Sequence, residues 1–301
     1  MDRQKKSLIF TLIAVLLWST AATAFKLTLA GMNNVQLLFY SSLISTIALF
    51  IIINIKHPND LKLCFQSKFI KNNLLLGFIN PFLYYLVLFK AYSLIPAQEA
   101  MPLNYTWPIV IGIFSAIFLK QKLTTKTIVG MFIAFFGVFV IATRGDLFSF
   151  KLHNILGVSL ALVSSIIWAS FWIMNLIDKR LDSIKLFSAF FFGTIIILIY
   201  VILFDSFHLQ NSYYLFGATY IGLFEMGITF FFWMTGLQLS KNKAKTSTIA
   251  YLSPFISMVF ISIVLGEKLF PSSIVGLLFI VGGILFQHIL IEKGKIKFNF
   301  E

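Results

Sequence analysis

A chain of 301 residues that is 59% hydrophobic and 12% charged, with a mean hydropathy of +0.91, carries more apolar surface than a soluble core can bury. Its formal charge of +13 is held in short clusters between apolar runs rather than on one basic face, which argues against nucleic acid as a partner. The one cysteine, Cys64, lies in a polar connector, so an intramolecular disulfide is excluded and a buried, inert thiol is expected.

Crossing about 30 Å of hydrocarbon takes about 20 apolar residues in a helix. Runs of that length are predicted at 8–28, 33–55, 72–94, 97–119, 125–144, 154–176, 184–204, 213–237, 245–266 and 270–291. The first follows Arg3, Lys5 and Lys6 as a signal peptide would, but it is too long and lacks a small-residue cleavage site, so it is read as the first helix. No strand is predicted.

Even numbers of spans put both termini on one side. Nineteen of the 24 Lys and Arg residues fall on that side, and only Lys26, Lys90, Arg144, Lys151 and Lys268 fall on or near the other. By the positive-inside rule both ends are cytoplasmic. The expected location is the cell membrane, multi-pass, which in a prokaryote means the inner membrane. The lipid bilayer is then a partner, and a single chain is the expected unit.

The halves repeat. An offset of 146 residues places Tyr105 on Tyr251, Pro108 on Pro254, Lys122-Leu123 on Lys268-Leu269 and Gly137 on Gly283, and it aligns Thr127 to Gly130 with Ser273 to Gly276. An offset of 150 places Trp18 on Trp168. The fold class read from this is an all-α membrane protein of ten transmembrane helices in two five-helix repeats, 1–148 and 149–301. Because five helices separate equivalent positions, the repeats are inverted, as in secondary transporters.

Within the spans, Gly130 and Gly137, like Gly276 and Gly283, recur seven apart, which suits close packing of helices within one chain better than a dimer face. Pro108 and Pro254 remove backbone donors and free the carbonyls of Asn104 and Ala250, groups tolerable only against protein or a water-filled cavity. These two prolines are the candidate gating residues.

Polar and aromatic residues converge on the same helices. Ser19, Thr23 and Lys26 form a stripe beside Trp18; the third helix offers Tyr84 with Asn80 and Tyr85; the fourth offers Asn104, Tyr105 and Trp107. The sixth offers Trp168, Trp172 and Asn175, and the ninth Tyr251 and Ser253. Such a lining suits a small-molecule substrate with a flat apolar body and a polar head. Any single ring among them serves equally well as core or as an interfacial anchor, since the chain holds 36 Phe.

Ionisable residues in hydrocarbon are costly and therefore informative. Glu225, in the eighth span, is read as a cavity-facing carboxyl for a substrate ammonium or a coupling proton, against the alternative of a protonated group bonded to a neighbouring helix. Glu99 and Lys245, equivalent in the two repeats, are expected at opposite membrane faces, one at each mouth of a pathway or simply at the interface. His57, His153, His208 and His288 are isolated, so no metal site or cofactor is expected; the short connectors leave no room for a catalytic domain, and the chain is read as not an enzyme.

Four segments carry a resemblance over essentially the whole chain: the first-helix Trp18-Ser19-Thr20, the fourth-helix run from Glu99 through Asn104-Tyr105 to Trp107-Pro108, the Gln121-Lys122 turn, and Trp168-Ala169-Ser170. With them the chain resembles the EamA type of the drug/metabolite transporter superfamily, and within it the YddG-like aromatic amino-acid exporters. The resemblance implies a cavity lined by helices 1, 3, 4, 6, 8 and 9 and export of amino acids, aromatic or bulky, or related metabolites by alternating access. Glu225, Lys26 and Lys90 match no motif of that group, so a drug or sugar permease of the same superfamily stays open as an alternative. A non-transporting membrane scaffold, with a dry packed interior, is the alternative from another class.

Overall fold

The computed structural model describes residues 2–56, 58–118, 124–147, 153–241, 246, 248–286, 289–292 and 295–298. Apolar runs fold as helices because each backbone N–H and C=O is then satisfied within its own segment, as a bilayer interior demands. Eight helices are long and apolar enough to cross a membrane: α1 (Arg3–Leu29), α2 (Asn34–Lys56), α3 (Ser67–Leu94), α4 (Ala97–Phe118), α5 (Thr125–Ala142), α6 (Ile155–Ile177), α7 (Asp182–Phe204) and α8 (Tyr214–Leu239). Two shorter apolar helices follow, α9 (Ile249–Leu265) and α10 (Pro271–Phe286). Large side chains such as Phe132, Phe204 and Ile263 point outward and are more than two-thirds exposed, a surface that only lipid can cover. The chain is a multi-pass membrane protein.

α1, α3, α4, α6, α8 and α9 surround the interior, while α2 packs on α7 and α5 on α10 at the periphery. The α5–α10 contact is a glycine seam. A Cβ at Gly137 or Gly276 would press on the facing backbone carbonyl of the other, and one at Gly283 would press on the Gly130 carbonyl, so the helices meet backbone to backbone. The glycine pattern therefore serves packing within the chain.

Four local departures shape the interior. α8 contains a six-residue π-helical turn, Gly222–Gly227, of the kind that recurs at functional sites, and α3 is kinked within Phe78–Leu83, where Asn80 leaves the helical conformation (φ −147°, ψ 121°) just before Pro81. α4 breaks at Tyr105 and Thr106, and α9 opens with a tight 3₁₀ turn at Thr248–Leu252.

Three expectations need correction. Pro108 and Pro254 do not kink continuous helices: each lies in the first turn of a helical segment, Trp107–Phe118 or Ser253–Leu265, where a missing N–H leaves no bond unmade. The tenth helix ends at Phe286 rather than 291, and residues 289–292 form a strand. That strand, Ile289–Glu292, pairs antiparallel with Lys295–Phe298, so the expectation of no strand fails; the alternation of Lys, Ile, Lys and Phe has a strand's period of two.

Candidate functional site

Where the six inner helices converge they enclose a cavity of about 90 Å³, several times what one water needs. All five tryptophans of the chain line it: Trp18 from α1, Trp107 from α4, Trp168 and Trp172 from α6, and Trp233 from α8. Tyr84, Asn104, Tyr105, Glu225 and Ser253 complete the expected residues that reach it. The rings brace one another: Tyr84 stacks on Trp168 with centroids 4.6 Å apart, Trp18 lies 5.2 Å from Trp233, and Trp168 meets Trp172 edge-on at 5.9 Å. The six helices are the same six that the resemblance implies.

The π-helical turn of α8 presents Glu225. Gly222 in that turn lets α8 approach the Ser41 carbonyl of α2, where a Cβ would clash. The Glu225 Oε1 accepts from the Tyr85 hydroxyl at 3.3 Å, and its main-chain carbonyl accepts from Trp18 Nε1 at 3.4 Å. Its Oε2 has no hydrogen-bond partner among the described residues. Two other lining groups, Trp172 Nε1 and Ser257 Oγ, share that condition. Nine further buried polar atoms away from the cavity also have no partner among the described residues, but these three share one space, where a polar group can be received.

The break in α4 is held by α6. Asn104 Nδ2 donates to Ser164 Oγ at 2.8 Å while its Oδ1 accepts from the Tyr84 hydroxyl at 3.4 Å, and Thr106 Oγ1 donates to Ser165 Oγ at 3.0 Å. Asn104 and Ala250, whose carbonyls the prolines were expected to free, both line the cavity.

Three expected residues stand apart. Ser19 is fully buried behind the lining: its hydroxyl donates to the Val15 carbonyl at 2.6 Å and to Ser253 Oγ at 3.2 Å. Asn175 lies farther along α6, donates to the Phe171 carbonyl at 2.9 Å and lines a second cavity instead. Tyr251 sits in the 3₁₀ turn, half-buried, and is not part of the cavity wall. Lys245 and the Gln121-Lys122 turn lie outside the described residues.

The second cavity, about 300 Å³, occupies the end of the bundle where α6 passes to α7. It is polar at its rim, with Asp178, Asp182, Lys185 and Gln238. Trp172 and Trp233 line both cavities, so these rings form the partition between them. The rim is braced: Arg180 forks onto Asp178 at 2.6 Å and reaches Asn73 Oδ1 at 2.7 Å, while Lys185 pairs with Asp182 at 2.8 Å. Burial alone would raise the Asp178 carboxyl, but the Arg180 hydrogen bonds outweigh it and hold the group below the usual range.

The start of α4 is tied to the second half of the chain. The Glu267 carboxylate, on the α9–α10 turn, accepts from the N–H groups of Ala97 and Gln98 at 3.0 and 3.4 Å, capping α4. Gln98 returns the contact, donating to Glu267 and to the Lys268 carbonyl and accepting from the Phe270 N–H at 2.6 Å. Beside them buried Glu99 pairs with Arg144 at 2.8 Å.

Sequence reasoning missed Trp233, Tyr92, Ser257 and Met101 in the lining. Trp233 was within reach, since Glu225, Thr229 and Trp233 follow one another at helical spacing.

The model of the EamA-like transporter family matches this chain over residues 5–143 and 155–287. The uncharacterized transporter YvbV of Bacillus subtilis is 29% identical over 68% of both chains, and the uncharacterized transporter YoaV of the same organism is 22% identical over 93% of this chain and 96% of its own. A protein of solved crystal structure shares the fold, with a TM-score of 0.66 at 19% identity over 94% of this chain and 96% of that one.

Proposed function

Because the chain belongs to the EamA-like transporter family, we propose that this membrane transporter exports amino acids, aromatic or bulky ones first, or related small metabolites, by alternating access through the tryptophan-lined cavity. The observation that carries the reading is that cavity, placed where helices of both halves meet and walled by every tryptophan in the chain. Flat apolar rings suit the body of such a substrate, and Glu225, Asn104 and Ser253 offer polar contacts for its head. A scaffold would have no use for an interior left with unsatisfied polar atoms.

In this reading ten helices cross the membrane as two inverted repeats, 1–148 and 149–301, with both termini in the cytoplasm. Two matched features support it: the helix irregularities at Phe78–Leu83 in α3 and Gly222–Gly227 in α8, and the prolines that each restart a helix after a break, Pro108 and Pro254. The breaks beside those prolines are the moving joints, and the α5–α10 glycine seam is the static edge.

The test is counterflow in liposomes loaded with unlabelled solute, with radiolabelled Trp, Phe, Thr and a sugar run in parallel. Accumulation of Trp and Phe is the expected result. Accumulation of the sugar alone would replace amino-acid export with a permease of another class, and no exchange of any of the four would remove the reading.

A further inference from the structure

We propose that the central cavity recognises an organic cation: a protonated or quaternary nitrogen held between the Glu225 carboxylate and the tryptophan faces. The inference deepens the transport reading, resting on it only for the use of the cavity, by naming the charge of the head group.

Charge is the first ground. Glu225 is the only charged side chain among the described lining residues, and the remainder are aromatic, aliphatic, hydroxyl or amide groups. Its Oε1 is engaged by Tyr85 while its Oε2 has no partner among the described residues, so one carboxyl oxygen is free to meet what enters. An ion in such a setting is costly unless a counter-charge meets it. No lysine or arginine among the described lining residues supplies one, so the empty cavity favours the protonated carboxyl, and an entering cation brings the counter-charge that ionises it.

Ring chemistry is the second ground. The chain has 36 phenylalanines, of which only Phe25 is a described lining residue, and five tryptophans, all of which line the cavity. Composition alone would give the reverse. Tryptophan differs from phenylalanine in the strength with which its face attracts a cation, and cages of such rings are how proteins hold quaternary ammonium groups. A small hard metal ion prefers a shell of oxygen ligands, which this wall does not provide.

The donors set the order of ligands. Trp172 Nε1 and Ser257 Oγ, without partners among the described residues, are neutral. They can meet a hydroxyl or carbonyl, but they give a substrate carboxylate no positive charge to offset its repulsion by Glu225. An aromatic amine therefore binds more tightly than the matching amino acid, and the amino acid more tightly than the matching acid.

The experiment uses the full chain in lipid nanodiscs at neutral pH. Because every tryptophan lines the cavity, intrinsic fluorescence reports occupancy, and the probes are phenethylamine, phenylalanine, phenylpropionate and phenyltrimethylammonium. Phenethylamine is expected to bind at least about tenfold more tightly than phenylpropionate, and Glu225→Gln to weaken it at least about tenfold. Phenyltrimethylammonium, which cannot donate a hydrogen bond, is expected to bind wild type and to be weakened by Trp168→Leu. Equal affinity for phenethylamine and phenylpropionate overturns the proposal, as does undiminished amine binding by Glu225→Gln or no binding of any cation. The wild-type order decides the matter should either variant fail to fold. Carboxylate binding with counterflow intact would remove only the cation assignment; amine binding with no counterflow of any solute, the amine included, would remove only transport.

Discussion

The Glu267 carboxylate accepts the Ala97 N–H at 3.0 Å, so the turn between α9 and α10 caps the helix that carries Asn104, Tyr105 and Trp107. A residue from the second half thus fixes where a wall of the cavity begins in the first. Glu267→Ala should cost about 0.5–2 kcal/mol as a lost cap. It should also speed labelling of a Ser253→Cys reporter by a water-soluble thiol reagent, with Cys64 replaced by Ser. Labelling at the wild-type rate would mean that this cap does not close the cavity.

Glu99 is 1% exposed at its side chain, whereas its partner Arg144 is 35% exposed, so the pair is not symmetric. Arg144→Ala leaves a buried carboxyl without its strongest partner and should destabilise the fold by about 1–3 kcal/mol. Adding Glu99→Gln should recover part of the loss. A double-mutant cycle in detergent, read by thermal unfolding, gives the coupling; additive losses would show that the pair contributes nothing.

The glycine seam separates tight from loose positions on a single helix. Gly276→Ala and Gly283→Ala press a methyl on facing backbone and should each lower the midpoint of unfolding, by a cost of about 1–3 kcal/mol. Gly282, with nothing near its would-be Cβ, should accept alanine without loss. Equal behaviour of the three variants would contradict the backbone contact.

Pro108→Ala and Pro254→Ala restore an N–H in the first turn after each break and let the helix run on through it. Counterflow should fall in both variants while melting temperatures hold. Unchanged counterflow in both removes the joint assignment.

Cys64 is fully buried in the connector between α2 and α3, and burial pushes its thiol above the ordinary range. Being raised in the fold, its proton is held through the pH at which an exposed cysteine ionises, so the stability it contributes is present at neutral pH and lost only as alkali strips it. The native chain should resist thiol reagents at neutral pH and react on unfolding. Rapid native labelling would contradict the burial.

How far the sequence led can be judged residue by residue. Trp18, Tyr84, Trp168 and Trp172 were legible because rings at repeated or periodic positions on apolar helices have few places to go, and Glu225 because a carboxylate in hydrocarbon must be accounted for. Ser19 misled, since a helical serine readily turns its hydroxyl onto the preceding turn, here onto Val15, and so offers no polar surface. Tyr251 was placed by its equivalence to Tyr105 in the repeat, but Tyr105 lies at a break in α4 whereas Tyr251 sits in a 3₁₀ turn, whose three residues per turn direct it away from the cavity. Asn175 shares a face with Trp172 yet lies nearly a turn beyond it, past the partition. The π-helical turn of α8 left no signal in the pattern, because one extra residue per turn is a tertiary choice, whereas the kink of α3 falls at a proline inside an apolar run, Pro81.

The two ends of the central cavity differ in what must move. Toward α6–α7 Trp172 and Trp233 are the described residues that line both cavities, and rotamer changes of these rings require no helix to shift. At the Glu267 end the first turn of α4 is held through its backbone N–H groups, so releasing it means displacing a helix terminus, a collective motion on the microsecond to millisecond scale. The two ends thus differ in kind: one is bounded by side chains that can turn in place, the other is tied to a helix terminus.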